Sequence, residues 1–231
     1  MITREGYDFI LREQEKYYEA SAGIYVDWAA SLARSVTISE ARVWKAEWSD
    51  LDSRIAIAAA RATRIIEIGC GPSRIPPSCT SGHIVFLDTS ESMLRLARAK
   101  HGNRQRAYIQ ARVQEMVLRP NTFDLVICTQ LLSHLPDELF RATTQDLWST
   151  VSEGGTLLVS DSLRPIIPNR AELGNVQRRH QAGGTFRVYK KYRKPECQLE
   201  LVPVGLVEQL VTGTYLYTVS FRKRSGQGVE S

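Results

Sequence analysis

Apolar positions recur at three- and four-residue spacing along Tyr7–Tyr18 and again along Ser39–Trp48. That period predicts two amphipathic helices, the second with Ser39 as its N-cap. Asp50–Ala60 keeps the period and reads as the helix before the first strand. From Arg64 the pattern changes. Short β-branched runs at Arg64–Ile68, His83–Asp88, Ala107–Gln110, Phe123–Cys128 and Thr156–Asp161 read as strands. Helical stretches at Ser90–Lys100 and Pro136–Trp148 separate them. Strands alternating with helices in this way predict an α/β fold with a parallel, doubly wound sheet covered on both faces. The end departs from the alternation: Pro195–Pro203 reads as a helix, and Leu206–Thr212 and Tyr215–Arg222 as two strands around Gly213. These two predict an antiparallel hairpin at one edge of the sheet. No repeat or linker divides the chain, so residues 1–222 are expected to form one domain, with 223–231 a disordered tail.

Composition sharpens this picture at three points. The 231 residues are 43% hydrophobic and 24% charged, enough apolar content for a packed core. The apolar runs are strand-sized, which argues against a membrane-spanning helix. Charges at Arg4, Glu5, Asp8, Arg12 and Glu13 leave no apolar signal-peptide core. With four cysteines (Cys70, Cys79, Cys128, Cys197) that lack paired spacing, the expectation is a cytoplasmic protein with reduced thiols and no metal site. The net charge is +5, yet residues 163–194 hold nine Lys and Arg against the single Glu172, a local +8 that leaves −3 for the rest. Such a concentration points towards an anionic partner or substrate.

The residues that carry chemistry follow the first strand, in Glu67-Ile-Gly-Cys-Gly71. Closely spaced glycines at a strand's carboxyl end let backbone approach a ligand where doubly wound folds bind cofactors. Asp88, closing the second strand, is placed to accept hydrogen bonds from both ribose hydroxyls of a nucleoside. Its other role, capping the next helix, falls better to Ser90. A dinucleotide fingerprint would need a third glycine where Arg74 stands, and no Gly-Lys-Ser or Gly-Lys-Thr phosphate loop follows.

The Glu-x-Gly-x-Gly run with an acid twenty-one residues on resembles the first motifs of class I S-adenosylmethionine-dependent methyltransferases. Phe123–Pro136 is similar to that family's fourth-strand segment and Val151–Asp161 to its Gly-Gly turn and fifth strand, so the likeness covers roughly residues 55–222. It implies a Rossmann-like, mostly parallel seven-stranded sheet with the antiparallel hairpin at its C-terminal end and helices at the N-terminus. A narrower likeness, in Tyr17–Tyr25, Ser133–Pro136 and Gly184–Lys190, is to a bacterial subgroup of small-molecule enzymes that includes natural-product tailoring relatives.

What the likeness implies is specific to residues. Gly69, Cys70 and Gly71 border the methionine part of S-adenosylmethionine, Glu67 orients the loop, Asp88 takes the ribose, and Thr89 and Met93 flank the adenine. Thr129 adds a contact from the fourth strand. Arg112 stands where the family often has an acid for the adenine amino group. Arginine accepts no hydrogen bond, so the backbone near Val113 and Gln114 is expected to take over. Residues 1–50 are expected to form a helical lid whose Tyr18 and Tyr25 reach the cofactor and whose Tyr17 reaches the acceptor. Trp28, Trp44 and Trp48 read as packing.

His134, following the fourth strand, is expected to act as general base or to orient the acceptor. The basic segment 163–194 would cover the acceptor pocket, with Arg187 holding an anionic group. The expected activity is therefore methyl transfer to an oxygen or nitrogen, or a carbon, of a small anionic acceptor by a monomer or homodimer. Two other readings remain open: an RNA methyltransferase using the basic segment, and a non-catalytic S-adenosylmethionine-binding protein. No appended RNA-binding module favours the first of these.

Overall fold

The computed structural model describes residues 4–23, 36–79, 82–165, 172–173, 175–181, 183–202 and 206–224. Helix α1 (Arg4–Ser21) precedes a long α2 (Ile38–Arg61). The two helices expected over 39–48 and 50–60 are thus one. Its cap is Thr37 rather than Ser39: the Thr37 hydroxyl accepts from Glu40 N, while the Glu40 carboxylate accepts from Thr37 N, a reciprocal capping box. Then follow β1 (Arg64–Ile68), β2 (His83–Asp88), α3 (Glu91–His101), β3 (Arg106–Gln110), β4 (Phe123–Thr129), α4 (Asp137–Thr150) and β5 (Val151–Ser162). After β5 come β6 (Glu172–Leu173), β7 (Val176–Gln181), β8 (Gly184–Tyr189), a one-turn α5 (Glu196–Leu199), β9 (Val207–Thr212) and β10 (Leu216–Arg222).

Seven strands make the main sheet in the order β3-β2-β1-β4-β5-β10-β9. All its pairs are parallel except those of β10 with β5 and with β9. This is the mostly parallel, doubly wound sheet with an antiparallel hairpin that the alternation predicts. Strands buried on both faces explain the continuous apolar runs, such as Leu125–Cys128 in β4, all four of which are 1% exposed or less. One face packs under α4 around Val126, Leu157, Val219, Phe221 and Leu147. The other packs under α2 and α3 through Leu51, Ile55, Ala59, Leu94 and Ala97.

Two departures shape the site. No helix forms in the described residues between β1 and β2; the chain makes turns instead, and α2, arriving before β1, covers that face. Arg74 fastens these turns to α2, with its guanidinium 4.0 Å from the Trp48 ring centroid and 2.8 Å from the Asp52 carboxylate. The second departure is a separate three-stranded antiparallel sheet, β6-β7-β8, built from the basic segment. The Phe186–Tyr192 alternation suggests one exposed strand there, and local pairing completes the sheet. Its β8 packs against α1 through Tyr7, Ile10 and Tyr189. The helix expected over 195–203 shrinks to Glu196–Leu199. Lys223, placed by the sequence in a disordered tail, is anchored by Nζ to Val151 O and Asn121 Oδ1, each at 2.8 Å. Residues 225–231 lie outside the described ones.

At the foot of the sheet Asp124 gathers Thr63 N, Thr63 Oγ1, Arg64 N and the Arg64 guanidinium at 2.5–3.1 Å. Partial burial disfavours its charge, but these donors win and hold the carboxyl down at about 2. A depressed carboxyl contributes stability above its unfolded value near 3.8 and loses it as pH falls towards 2. Asp124→Ala should therefore cost about 1–3 kcal/mol at neutral pH. In chemical denaturation followed by circular dichroism, the gap to the parent protein should narrow as pH drops below 3.8.

Candidate active site

The carboxyl ends of β1, β2, β3 and β4 open into a cleft with about 1050 Å3 of space between atoms, partly open to solvent. Its floor is the turn after β1. Gly69 and Gly71 adopt positive φ (62° and 52°), which glycine tolerates without strain. A Cβ on Gly71 would meet nothing within 4 Å, so the backbone here faces free space that a ligand can enter. Ser73 continues the left-handed pattern at φ 65° and is held there by its own hydroxyl, which donates to Glu67 at 2.6 Å. Arg74 N reaches the other Glu67 oxygen at 3.0 Å. Glu67 is fully buried behind the turn and braces it without lining the cleft. Burial raises its pKa, against the hydrogen bonds from Ser73 and Arg74.

Asp88 ties this turn to the next strand. Gly71 N donates to one of its oxygens at 2.8 Å and Ser90 N to the other at 2.9 Å. Capping of α3 falls to Ser90, whose hydroxyl accepts from Met93 N at 3.1 Å. The Asp88 side chain lines the cleft, so it is positioned to meet a pair of vicinal hydroxyls. Gly69, Cys70, Gly71, Thr89, Met93, Val113, Gln114 and Thr129 line the same space. The donor and acceptor set, the open approach at Gly71 and the ledge of Val113 and Gln114 fit an adenosine bearing a thioether or sulfonium.

Helix α1 closes the cleft from above through three contacts. The Glu15 carboxylate accepts from Arg112 Nε and Nη2 at 2.6 and 3.1 Å. Glu19 accepts from Ser90 Oγ at 2.6 Å and Ser92 N at 3.1 Å. Tyr18 Oη lies 2.9 Å from His134 Nε2. The arginine at a position where an acid was expected is thereby explained: it fastens the lid helix, which brings the carboxylate to it. Sequence reading missed Leu11, Gln14 and Glu15 as lining residues; their spacing with Tyr18, one helical face, was the available signal.

His134 ends the 3-10 turn Leu132–His134, is 6% exposed and lines the cleft. Its Nδ1 is 2.7 Å from the Tyr189 carbonyl oxygen, which only accepts, so Nδ1 carries the proton. Nε2 of the neutral ring is then an acceptor, and Tyr18 donates to it. Burial first, and the Lys190 charge second, push the His134 pKa well below its ordinary 6.5, with Arg179 acting in the same direction and the Tyr189 carbonyl against.

The basic segment holds this turn from behind. Arg193 donates to Leu132 O at 2.9 Å and Leu135 O at 2.6 Å, and Lys191 N to Ser133 O at 2.8 Å. Lys190 Nζ donates to Ser133 Oγ at 2.5 Å and lies 3.4 Å from Asp161, which also accepts from Ser133 N and Oγ. Lys190 and Arg193 are each 6% exposed. Their charges therefore face inward, not towards an acceptor. Arg187, expected to hold an anion, is exposed with its guanidinium 5.4 Å from the Phe9 ring centroid, outside the cleft lining. Tyr17 likewise packs on Phe186, ring centroids 6.1 Å apart, rather than lining the cleft. Trp48 joins the lining while Trp44 packs beneath Tyr215 and Leu216. Tyr25 and Trp28 lie outside the described residues.

Residues 65–155 match the family model of a methyltransferase domain. Among curated proteins, the ubiquinone biosynthesis O-methyltransferase of Xanthomonas campestris is 28% identical over 116 residues, 48% of this chain and 47% of that protein. The Vibrio cholerae protein of the same name is 26% identical over 72% of this chain and 70% of its own length. The chain thus spans about half the length of the first relative. The solved DhpI–SAH complex superposes with a TM-score of 0.64 at 21% identity, covering 94% of this chain and 99% of that one. The magnesium protoporphyrin IX methyltransferase of Synechocystis with bound SAM gives 0.60 at 14% identity, covering 90% and 94%. Residues 65–155 thus match a methyltransferase domain, and the chain around them shares the fold of solved methyltransferases.

Proposed function

We propose that this protein transfers a methyl group from S-adenosylmethionine to a hydroxyl oxygen of a small acceptor, with His134 as the general base. The observation that carries the reading is the His134 ring. Its proton is pinned on Nδ1 by a backbone carbonyl, and its basic Nε2 points into the cleft that holds Gly69, Gly71 and Asp88. The cofactor, when bound, supplies a methyl on a sulfonium, an electrophile with an excellent leaving group. The protein's share is then alignment plus removal of one proton. Gly69, Cys70 and Gly71 border the methionine portion, Asp88 holds the ribose, and Thr89, Met93, Val113 and Gln114 the adenine. Tyr18 donates to Nε2 and marks where an acceptor hydroxyl donates instead, either directly or through the phenol. Withdrawing or tilting α1 admits the acceptor, and its three polar contacts re-form over it.

The acceptor's chemistry follows from what the cleft lacks. Its two lining arginines are already paired, Arg74 with Asp52 and Arg112 with Glu15. The described lining therefore offers no unpaired cation, and the anionic acceptor suggested by the basic segment loses its support. A neutral, weakly acidic hydroxyl such as a phenol suits a base of depressed pKa better, and the O-methyltransferase names of the relatives agree. Lys190 and Arg193 turn inward, which takes two of the nine cations away from the surface on which the RNA reading rested.

Four outcomes test this. Asp88→Ala should weaken S-adenosylhomocysteine binding about 10- to 100-fold in calorimetry, by losing charged hydrogen bonds to the loop and the ribose. His134→Ala should lower turnover about 100- to 10,000-fold while leaving that affinity within about twofold; unchanged turnover removes the base assignment. Because only neutral His134 is a base and its pKa is depressed, kcat/KM should stay flat from pH 8 down past 6.5 and fall only in more acid solution. Lys190→Met removes a positive charge beside the ring, so the acid limb should move up towards pH 6.5. A purely structural role for Lys190 would lower the rate without moving the limb.

A further inference from the structure

The stripe of α1 that faces His134 carries a side chain that the reaction above does not use. Gln14 is 8% exposed, lines the cleft, and its Oε1 is buried with no hydrogen-bond partner. A buried carbonyl oxygen left unpaired bears its full desolvation cost, and this one belongs to a side chain that lines the cleft, where a ligand can complete it. We propose that Gln14 is a specificity-determining residue that receives a second hydrogen-bonding group, an O–H or N–H, on the acceptor beside the hydroxyl that is methylated. This rests on the reading of the cleft as a hydroxyl methyltransferase site.

The helix itself separates acceptor from cofactor. At about 3.6 residues per turn, Tyr7, Gln14 and Tyr18 fall within about 40° of one another around the α1 axis. Tyr18 bonds to His134 Nε2 and Tyr7 Oη reaches the His134 carbonyl oxygen at 3.5 Å. Glu15 and Glu19 stand about 100–140° away from Gln14 on the same axis. They bind Arg112, Ser90 and Ser92, beside Asp88 and the ends of β2 and β3. One stripe therefore serves the half of the cleft where the cofactor nucleoside fits, and Gln14 lies on the other, with the base.

A second carboxamide has the complementary need. Gln130, just past β4, lines the cleft; its Oε1 accepts from Ser162 Oγ at 2.5 Å while its buried Nε2 has no partner. The cleft lining thus carries one unmatched acceptor and two unmatched donors, Gln130 Nε2 and the Trp48 indole Nε1, all neutral. A carboxylate or phosphate has nothing to give Gln14 Oε1. Hydroxyl groups satisfy both amides, since each O–H donates and accepts. The ligand class is a neutral molecule with at least two hydroxyl or N–H groups on a compact frame.

The test uses phenol and the three dihydroxybenzenes (catechol, resorcinol and hydroquinone) as probes. Each is titrated by NMR into the full chain saturated with S-adenosylhomocysteine. At least one dihydroxybenzene should bind the parent protein about three- to tenfold tighter than phenol, the increment of one net hydrogen bond. Gln14→Leu, and Gln14→Met as a second variant, should abolish that preference. Both should leave phenol and S-adenosylhomocysteine affinity unchanged and thermal stability equal or higher, because a buried unpaired oxygen is removed. A parent protein that binds all four probes alike, or none, overturns the proposal. So do variants that keep the preference, and loss of S-adenosylhomocysteine affinity in the variants, which would assign Gln14 to the cofactor. A parent protein that fails to bind S-adenosylhomocysteine sinks the underlying methyltransferase reading instead, so the two failures are told apart.

Discussion

The hydrogen bond from His134 Nδ1 to the Tyr189 carbonyl, 2.7 Å long, is the constraint on which the site depends. It joins the turn after β4 to the end of β8, two segments that are fifty-five residues apart in the chain. In doing so it fixes both the ring's orientation and its tautomer, so that a lone pair rather than a proton faces the cleft. Little else in the sequence would secure this. A free histidine near neutrality populates two tautomers and a cation. Burial together with the Lys190 charge removes the cation, and the carbonyl selects one tautomer.

Seen from that bond, the small β6-β7-β8 sheet has a clear purpose. Its strand end supplies the carbonyl, and the residues directly after it (Lys190, Lys191 and Arg193) bind the carbonyls and the serine of the 131–135 turn. Buried charge of this kind persists only with partners. Asp161 on β5 compensates Lys190, and Asp137 at the start of α4 compensates Lys191 and Arg193. The main sheet thus meets the added sheet through ion pairs and backbone acceptors rather than through an apolar seam. That is why Lys190 and Arg193 can be buried in so polar a segment.

The framework was readable because it depends on period. Alternation of β-branched runs with amphipathic helices marks the parallel strands, and glycine spacing with an acid at the next strand end marks the cleft floor. Sequence reading failed where charge was used as a guide to exposure. Nine cations in 163–194 resemble a solvated face or an anion site, yet their cluster gives no sign that Asp161, Asp137 and the turn carbonyls await Lys190, Lys191 and Arg193. Arg112 gave no sign of its ion-pair partner either. Its partner Glu15 lies ninety-seven residues earlier, on a helix whose docking no local pattern encodes. Gln14 gave no signal of its own, because an unmatched amide becomes visible only once its surroundings are packed.

Helix α1 carries these long-range effects together. It touches both sheets: β8 through Tyr7 and Ile10, and the ends of β2 and β3 through Glu15 and Glu19. Along its inner face the contacts change from apolar, against the added sheet, to charged, against the nucleoside end of the cleft. Tyr18 and Gln14 occupy the boundary between the two. A lid held by polar contacts on one side opens at lower cost than one held by a packed apolar seam, because water replaces each lost hydrogen bond. The apolar contacts with β8 are thus the firmer side of α1, and the Glu15 and Glu19 contacts the side that water can replace.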